Sequence, residues 1–199
     1  EGVEISPLDR GQLVHTILER FYRQRWEDAA RRARPVLAAE EAEALAAIRQ
    51  ITEEECQRVQ REGRAGHPGA WIYEQERLMV RLGWFIHSEI EYFRKNPGLA
   101  PAHLEFSFGM SERRGNDPAS TDESLVLTAS GVEIRARGII DRVDATAEGQ
   151  ATVIDYKTGS SVPTYAAVAK GTSFQLFVYL LAAEDLLGLH PKAGFYLKL

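Results

Sequence analysis

Asp141, Asp155 and Lys157 are the residues of this chain whose types and spacing could do chemistry together. They lie in residues 138–157, GIIDRVDATAEGQATVIDYK, where two apolar runs (139–143 and 151–156) flank a polar, Gly-containing segment, 145–150. That pattern predicts a β-hairpin with a longer loop, without a tight two-residue turn signal. With antiparallel strands and a loop centred on Glu148, Asp141 falls opposite Asp155. Residues two apart on a strand share a face, so Lys157 joins Asp155 above Val153, while Thr152, Ile154 and Tyr156 take the other face. Carboxylates placed directly across a ladder repel each other. A divalent cation between them removes the repulsion, and hard cations such as Mg²⁺ favour carboxylate oxygens. Lys157 brings a movable ammonium to the same place. An exposed hairpin with scattered charges would explain any one of these residues; the trio at this spacing favours a site.

The flanking elements must position that trio. From Arg10 the pattern is strongly helical, with Leu13, Ile17 and Phe21 on one stripe and Val14, Leu18 and Tyr22 beside it. Ser6 or Asp9 can cap this helix around Pro7. His15 lies at the margin of the stripe, where a lone histidine is ordinarily a packing or surface residue. Residues 31–34 read as a basic, solvated helix end, and 36–61 and 71–95 as further helices broken by the loop 63–69. After Pro101 the character changes to strands. Residues 103–108 alternate, which predicts Leu104, Phe106 and Phe108 on one face and Glu105 with His103 and Ser107 on the other. Residues 110–123 are a polar loop, and 125–128 and 132–136 are strands around a turn at Ser130-Gly131. Arg142 and Asp144 fall on the face opposite Asp141 and are expected to pair with each other. Residues 158–161 break the strand. A helix then runs from Ser173 to about Leu187, with Gln175 and Tyr179 sharing a face and Phe174, Phe177, Val178 and Leu181 assigned to the core. Residues 193–199 form a last strand.

The ordered strings G-I-I-D-R-V-D, I-D-Y-K-T-G and Q-L-F-V-Y resemble the RecB-like branch of the PD-(D/E)XK nucleases. The resemblance implies that Asp141 and Asp155 hold metal and that Lys157 positions or activates the attacking water. Asp155 stands where the motif admits either Asp or Glu. Gly11-Gln12-Leu13-Val14-His15 matches the family's G-x-x-x-H helix, which makes His15 an additional ligand; imidazole beside carboxylates suits Mn²⁺ somewhat better than Mg²⁺. Glu105 corresponds to a strand glutamate that approaches the active site, with a metal or water-mediated role. Gln175 and Tyr179 match Q-x-x-x-Y, whose place is beside the site, touching DNA or supporting the ligands.

Composition sets further bounds. At 199 residues and 44% hydrophobic content the chain can bury one core. Its lone Cys56 excludes an internal disulfide and any four-cysteine zinc or iron–sulfur cluster built by this chain. No apolar run is long enough to cross a bilayer and no secretory leader is evident, so a cytoplasmic protein is expected. The net charge of −5 does not favour a free-standing nucleic-acid binder, although a bound metal and a larger assembly would both offset it.

These readings converge on an α/β domain: a central mixed sheet with flanking helices, the restriction-endonuclease-like core, and a large N-terminal helical part. Residues 1–199 are expected to be a single domain, helical over 1–100 and sheet-containing over 101–199, excised from a longer protein. The resemblance implies a metal-dependent deoxyribonuclease using Mg²⁺ or Mn²⁺ on single- or double-stranded DNA ends, partnered with a helicase in recombination or break repair. Exonuclease and endonuclease action are both open. The alternative is a catalytically silent DNA-binding or scaffold module that keeps the fold.

Overall fold

The computed structural model of the chain describes residues 4–28, 30–110, 117–159, 162–164, 166–167, 170 and 173–199. Part of the expected 110–123 loop and of the 158–161 break therefore lies outside the described residues. Helix α1 (Pro7–Gln24) starts at Ser6, whose Oγ accepts the Asp9 N–H at 3.0 Å; Pro7 occupies a first-turn position where no N–H is needed. Its buried stripe is Leu13, Val14, Ile17, Leu18, Phe21 and Tyr22, as the periodicity predicts. Each such burial stabilises by about 1.5–3 kcal/mol, enough to fix the helix against the sheet.

The basic stretch after α1 is not a helix end. Strands β1 (Trp26–Glu27) and β2 (Arg32–Ala33) form a small ribbon, and Arg34 pairs with Glu27 and Glu40. Carboxylates on both sides hold Arg34 just past the ribbon. Helices α2 (Glu41–Arg61) and α3 (Pro68–Lys95) follow; α2 packs against both α1 and α3.

The sheet is built from β3 (Ala100–Phe108), β6 (Gly138–Ala145), β7 (Gln150–Lys157) and β8 (His190–Lys198), in that spatial order. A separate hairpin, β4 (Leu125–Ala129) and β5 (Val132–Ala136), turns at Ser130 and Gly131, both with positive φ. Strands β3, β6 and β7 are antiparallel, while β8 joins β7 in parallel after helix α4 (Gln175–Asp185). The β6–β7 register runs from Ala145↔Ala151 to Arg142↔Ile154, the register the hairpin pattern predicts, and the paired residues stop one step short of Asp141 and Asp155.

Two cores lie on the two faces. One gathers the helices with Leu104, Ile154 and Tyr156; the other gathers Phe106, Phe108, Ile140, Val143 and Val153 under α4. Leu104 and Phe106 therefore belong to opposite faces, against the simple alternation expected of β3. The cause is Glu105, whose φ of 54° is left-handed. Pairing with β6 steps from Leu104↔Arg142 to Phe106↔Ile140 and skips Glu105 and Asp141, which face each other at the break.

Candidate active site

Three elements meet at that break. His15 Nδ1, from α1, lies 3.3 Å from Asp141 Oδ1 on β6 and 3.5 Å from Glu105 Oε1 on β3. One donor atom from each of the three lies within 4.8 Å of the other two. The second Asp141 oxygen accepts the Tyr156 N–H at 2.6 Å, which fixes the carboxylate against β7. The Tyr156 ring meets His15 edge-on with centroids 5.8 Å apart. A non-glycine residue in the left-handed region costs on the order of 1–3 kcal/mol, and such strain concentrates where side chains must be aimed. At Glu105 it turns the carboxylate toward α1.

The electrostatics suit a cation. Burial disfavours charge on His15, but its hydrogen bonds to Asp141 and Glu105 outweigh that and raise its pKa to about 10. With no metal bound, the cluster thus carries a proton at neutral pH. Burial and the nearby Asp141 charge lift the Glu105 carboxyl, with His15 pulling the other way. Burial and Asp141 likewise lift Asp155, against Lys157.

Asp155 stands apart from the three-residue cluster. Lys157 Nζ pairs with its Oδ2 at 2.6 Å, and that buried oxygen has no other polar partner among the described residues. The donor set, one imidazole and up to three carboxylates, matches Mg²⁺ or Mn²⁺ chemistry.

Lys157 is held from several sides. Its Nζ donates to Gln175 Oε1 at 2.8 Å, and Gln175 Nε2 donates to Tyr179 Oη at 3.0 Å. The ammonium also sits 5.2 Å from the centroid of the Tyr196 ring, a residue that the motifs do not flag but that pairs with Asp155 across the parallel β7–β8 ladder. Of the four residues of this segment expected in the core, Val178 packs against it and the other three do not. Tyr179 is 7% exposed and packs in the core, whereas Phe174 and Phe177 are 63% and 46% exposed and Leu181 also faces out. Tyr179 therefore supports Gln175 and offers no face for a base to stack on. Its ring rests on Gly138: a Cβ there would come 2.9 Å from Tyr179 Cε1 and 3.2 Å from Phe108 Cζ. Gly138→Ala is expected to cost about 1–3 kcal/mol by overpacking. Urea denaturation checks this, and unchanged stability would mean that the ring yields.

Behind the site, Arg142 and Asp144 pair as expected, but far inside the protein. Arg142 is fully buried and donates Nε and one terminal nitrogen to the two Asp144 oxygens, each at 2.6 Å. Its other terminal nitrogen donates to Glu89 Oε2 at 2.6 Å, Tyr22 Oη at 3.1 Å and Tyr156 Oη at 3.3 Å. The Tyr22 hydroxyl donates in turn to Glu89. Burial lifts the Glu89 carboxyl above its ordinary value against the pull of Arg142. This network ties the backs of β6 and β7, next to Asp141 and between Asp155 and Lys157, to α1 and α3.

The family model described as the PD-(D/E)XK nuclease superfamily matches residues 1–199. A component of the ATP-dependent helicase/deoxyribonuclease of Carboxydothermus hydrogenoformans is 31% identical over 137 residues, 63% of this chain and 12% of that protein. Proteins of the same description from two strains of Streptococcus equi subsp. zooepidemicus are 36% identical over 72 residues, 36% of this chain and 7% of theirs. The chain thus matches only a small fraction of the length of these relatives.

Proposed function

The chain belongs to the PD-(D/E)XK nuclease superfamily, and from that membership we propose that it is a metal-dependent deoxyribonuclease hydrolysing DNA phosphodiesters. The observation that carries the reading is the His15–Glu105–Asp141 cluster, with the Asp155–Lys157 pair on the neighbouring strand. His15, Glu105, Asp141 and Asp155 would hold Mg²⁺ or Mn²⁺. A divalent ion so bound supplies Lewis acidity toward a phosphate oxygen and acidifies water. Lys157 stabilises the charge that develops on the phosphate and orients the attacking water. Gln175 and Tyr179 restrain the ammonium, so that it meets the phosphate already aimed.

Residues 1–199 form one nuclease domain in this reading, because the helical half supplies His15 and the sheet half supplies the carboxylates. The named relatives are subunits of helicase/deoxyribonucleases, which supports work alongside a helicase; a cytoplasmic part in recombination or break repair belongs to the same proposal. Among the described residues no helix is long and apolar enough to cross a membrane. A silent scaffold would have no need of an assembled ligand cluster.

Labelled single- and double-stranded DNA, incubated with Mg²⁺, Mn²⁺ or chelator, tests the proposal. Cutting should appear with metal and vanish with chelator; cutting that survives chelation would sink it. Mn²⁺ should raise the melting temperature of the parent, and His15→Ala should bind Mn²⁺ about 10–100-fold more weakly. Affinity should rise with pH, because the ion must displace the proton held on His15. Equal Mn²⁺ affinity in parent and variant would remove His15 from the site.

A further inference from the structure

A second concavity lies away from the acidic cluster. It has a volume of about 500 Å³, and its lining includes Trp26, Asp28, Arg31, His103 and Asp117. His103 precedes Glu105 by two strand residues, roughly 7 Å along β3. Trp26 follows His15 by eleven residues, roughly 16 Å at the helical rise. The cavity is therefore close enough to take another part of one substrate strand, and too far to share the reacting phosphate.

Hydrogen bonds fix its wall. Asp117 is buried, and its Oδ2 accepts the Leu104 N–H at 2.9 Å. Its Oδ1 accepts the Ala119 N–H at 2.9 Å and lies 3.1 Å from His103 Nδ1. With Nδ1 against the carboxylate, the ring turns Nε2 away from Asp117, and Nε2 bonds to no described residue. Trp26 lines the cavity half-buried against the helical core, with the Arg23 guanidinium 5.4 Å from its ring centroid. The exposed Asp28 adds an acceptor. Arg31 closes the β1–β2 turn with φ 52°, a position glycine or asparagine would fill without strain, and it forms no ion pair among the described residues.

We propose that this cavity takes one unpaired base of the DNA strand, stacked on Trp26 with its amino edge on His103 Nε2 and Asp28 and its phosphate at Arg31. The proposal rests on the nuclease reading and adds a point of strand selection to it. Two acceptors and no opposing side-chain donor at the base edge favour adenine or cytosine, whose amino groups donate, over thymine, which has a single imino N–H. Base-on-aromatic stacking of this kind is sequence-tolerant, so the preference is graded.

The test measures binding of fluorescent oligo-dA, oligo-dC and oligo-dT to the full chain in chelator. It is paired with Mn²⁺-dependent hydrolysis of bis(p-nitrophenyl) phosphate, a diester too small to reach the cavity. The parent should bind oligo-dA and oligo-dC more tightly than oligo-dT. Trp26→Ala should weaken oligo-dA binding by roughly tenfold or more while hydrolysing the small diester normally. Trp26→Phe, which keeps an aromatic face if alanine perturbs folding, should restore most of the affinity. Arg31→Gly should melt no lower than the parent, yet bind more weakly with a salt dependence shallower by about one ion. A parent that cuts DNA while Trp26→Ala binds oligo-dA as tightly as it does would overturn the cavity alone. A parent that neither binds nor cuts DNA would overturn the nuclease reading and the cavity with it.

Discussion

Lys157→Ala is expected to cleave DNA about 10²-fold more slowly than the parent, or worse, while binding Mn²⁺ at least as well. The ammonium touches no member of the His15–Glu105–Asp141 cluster; its contacts are Asp155, Gln175 and the Tyr196 ring. Removing it leaves every candidate ligand in place and makes the surroundings more negative, so cation binding should hold or tighten. What is lost is the positive charge aimed at a phosphate whose own charge grows during attack. Single-turnover cleavage with saturating Mn²⁺, alongside a Mn²⁺ titration, separates the two effects. A parental cleavage rate would remove Lys157 from the mechanism; a matching loss of Mn²⁺ binding would make it a support for the ligands.

The second large effect is on stability. Arg142→Met should cost about 3–5 kcal/mol, because it strands Glu89 and Asp144 in the interior without their cation. Arg142→Lys keeps the charge but cannot reproduce the forked contact with Asp144, so it should fall between parent and methionine variant. Chemical denaturation measures all three. A methionine variant within about 1 kcal/mol of the parent would show that the two carboxylates take up protons and pack as neutral groups, as the raised Glu89 carboxyl already inclines to do.

The hairpin was legible in the sequence because two apolar runs flank a polar segment whose length set the register. The pairing from Arg142↔Ile154 to Ala145↔Ala151, and the division of Val153 from Ile154 and Tyr156, follow from that alone. His15 became legible only through its motif, since its place at the edge of an apolar stripe is what any packing histidine shows. Glu105 was flagged, but nothing in its residue type announces a left-handed backbone, so the crossing of Leu104 and Phe106 to different cores could not be read. The facing of helix α4 departs from the pattern at Phe174, Phe177 and Leu181 for a different reason. Leu176, Phe177, Val178, Leu180 and Leu181 leave almost no polar contrast around the helix, so periodicity could not choose a face. The choice is made by shape: Gly138 receives Tyr179, and Gly194 lies where a Cβ would sit 3.1 Å from Leu176. The His103–Asp117 pair joins a strand to a loop fourteen residues on, a contact that no local pattern encodes.

The buried arginine also has a consequence for how the chain is made. Domains fold as units and the N-terminal parts of a chain emerge from the ribosome first. Tyr22 and Glu89 therefore leave the ribosome well before Arg142, and Asp144 follows it by two residues. The guanidinium arrives to find waiting acceptors on α1 and α3, so no stage of synthesis requires a naked cation to enter the interior. Until β6 docks onto those helices, Asp141 has neither His15 beside it nor the Tyr156 N–H to hold it. A chain in which β6 and β7 have not docked would accordingly lack the assembled cluster, and any hazard of untimely cutting is deferred until they have.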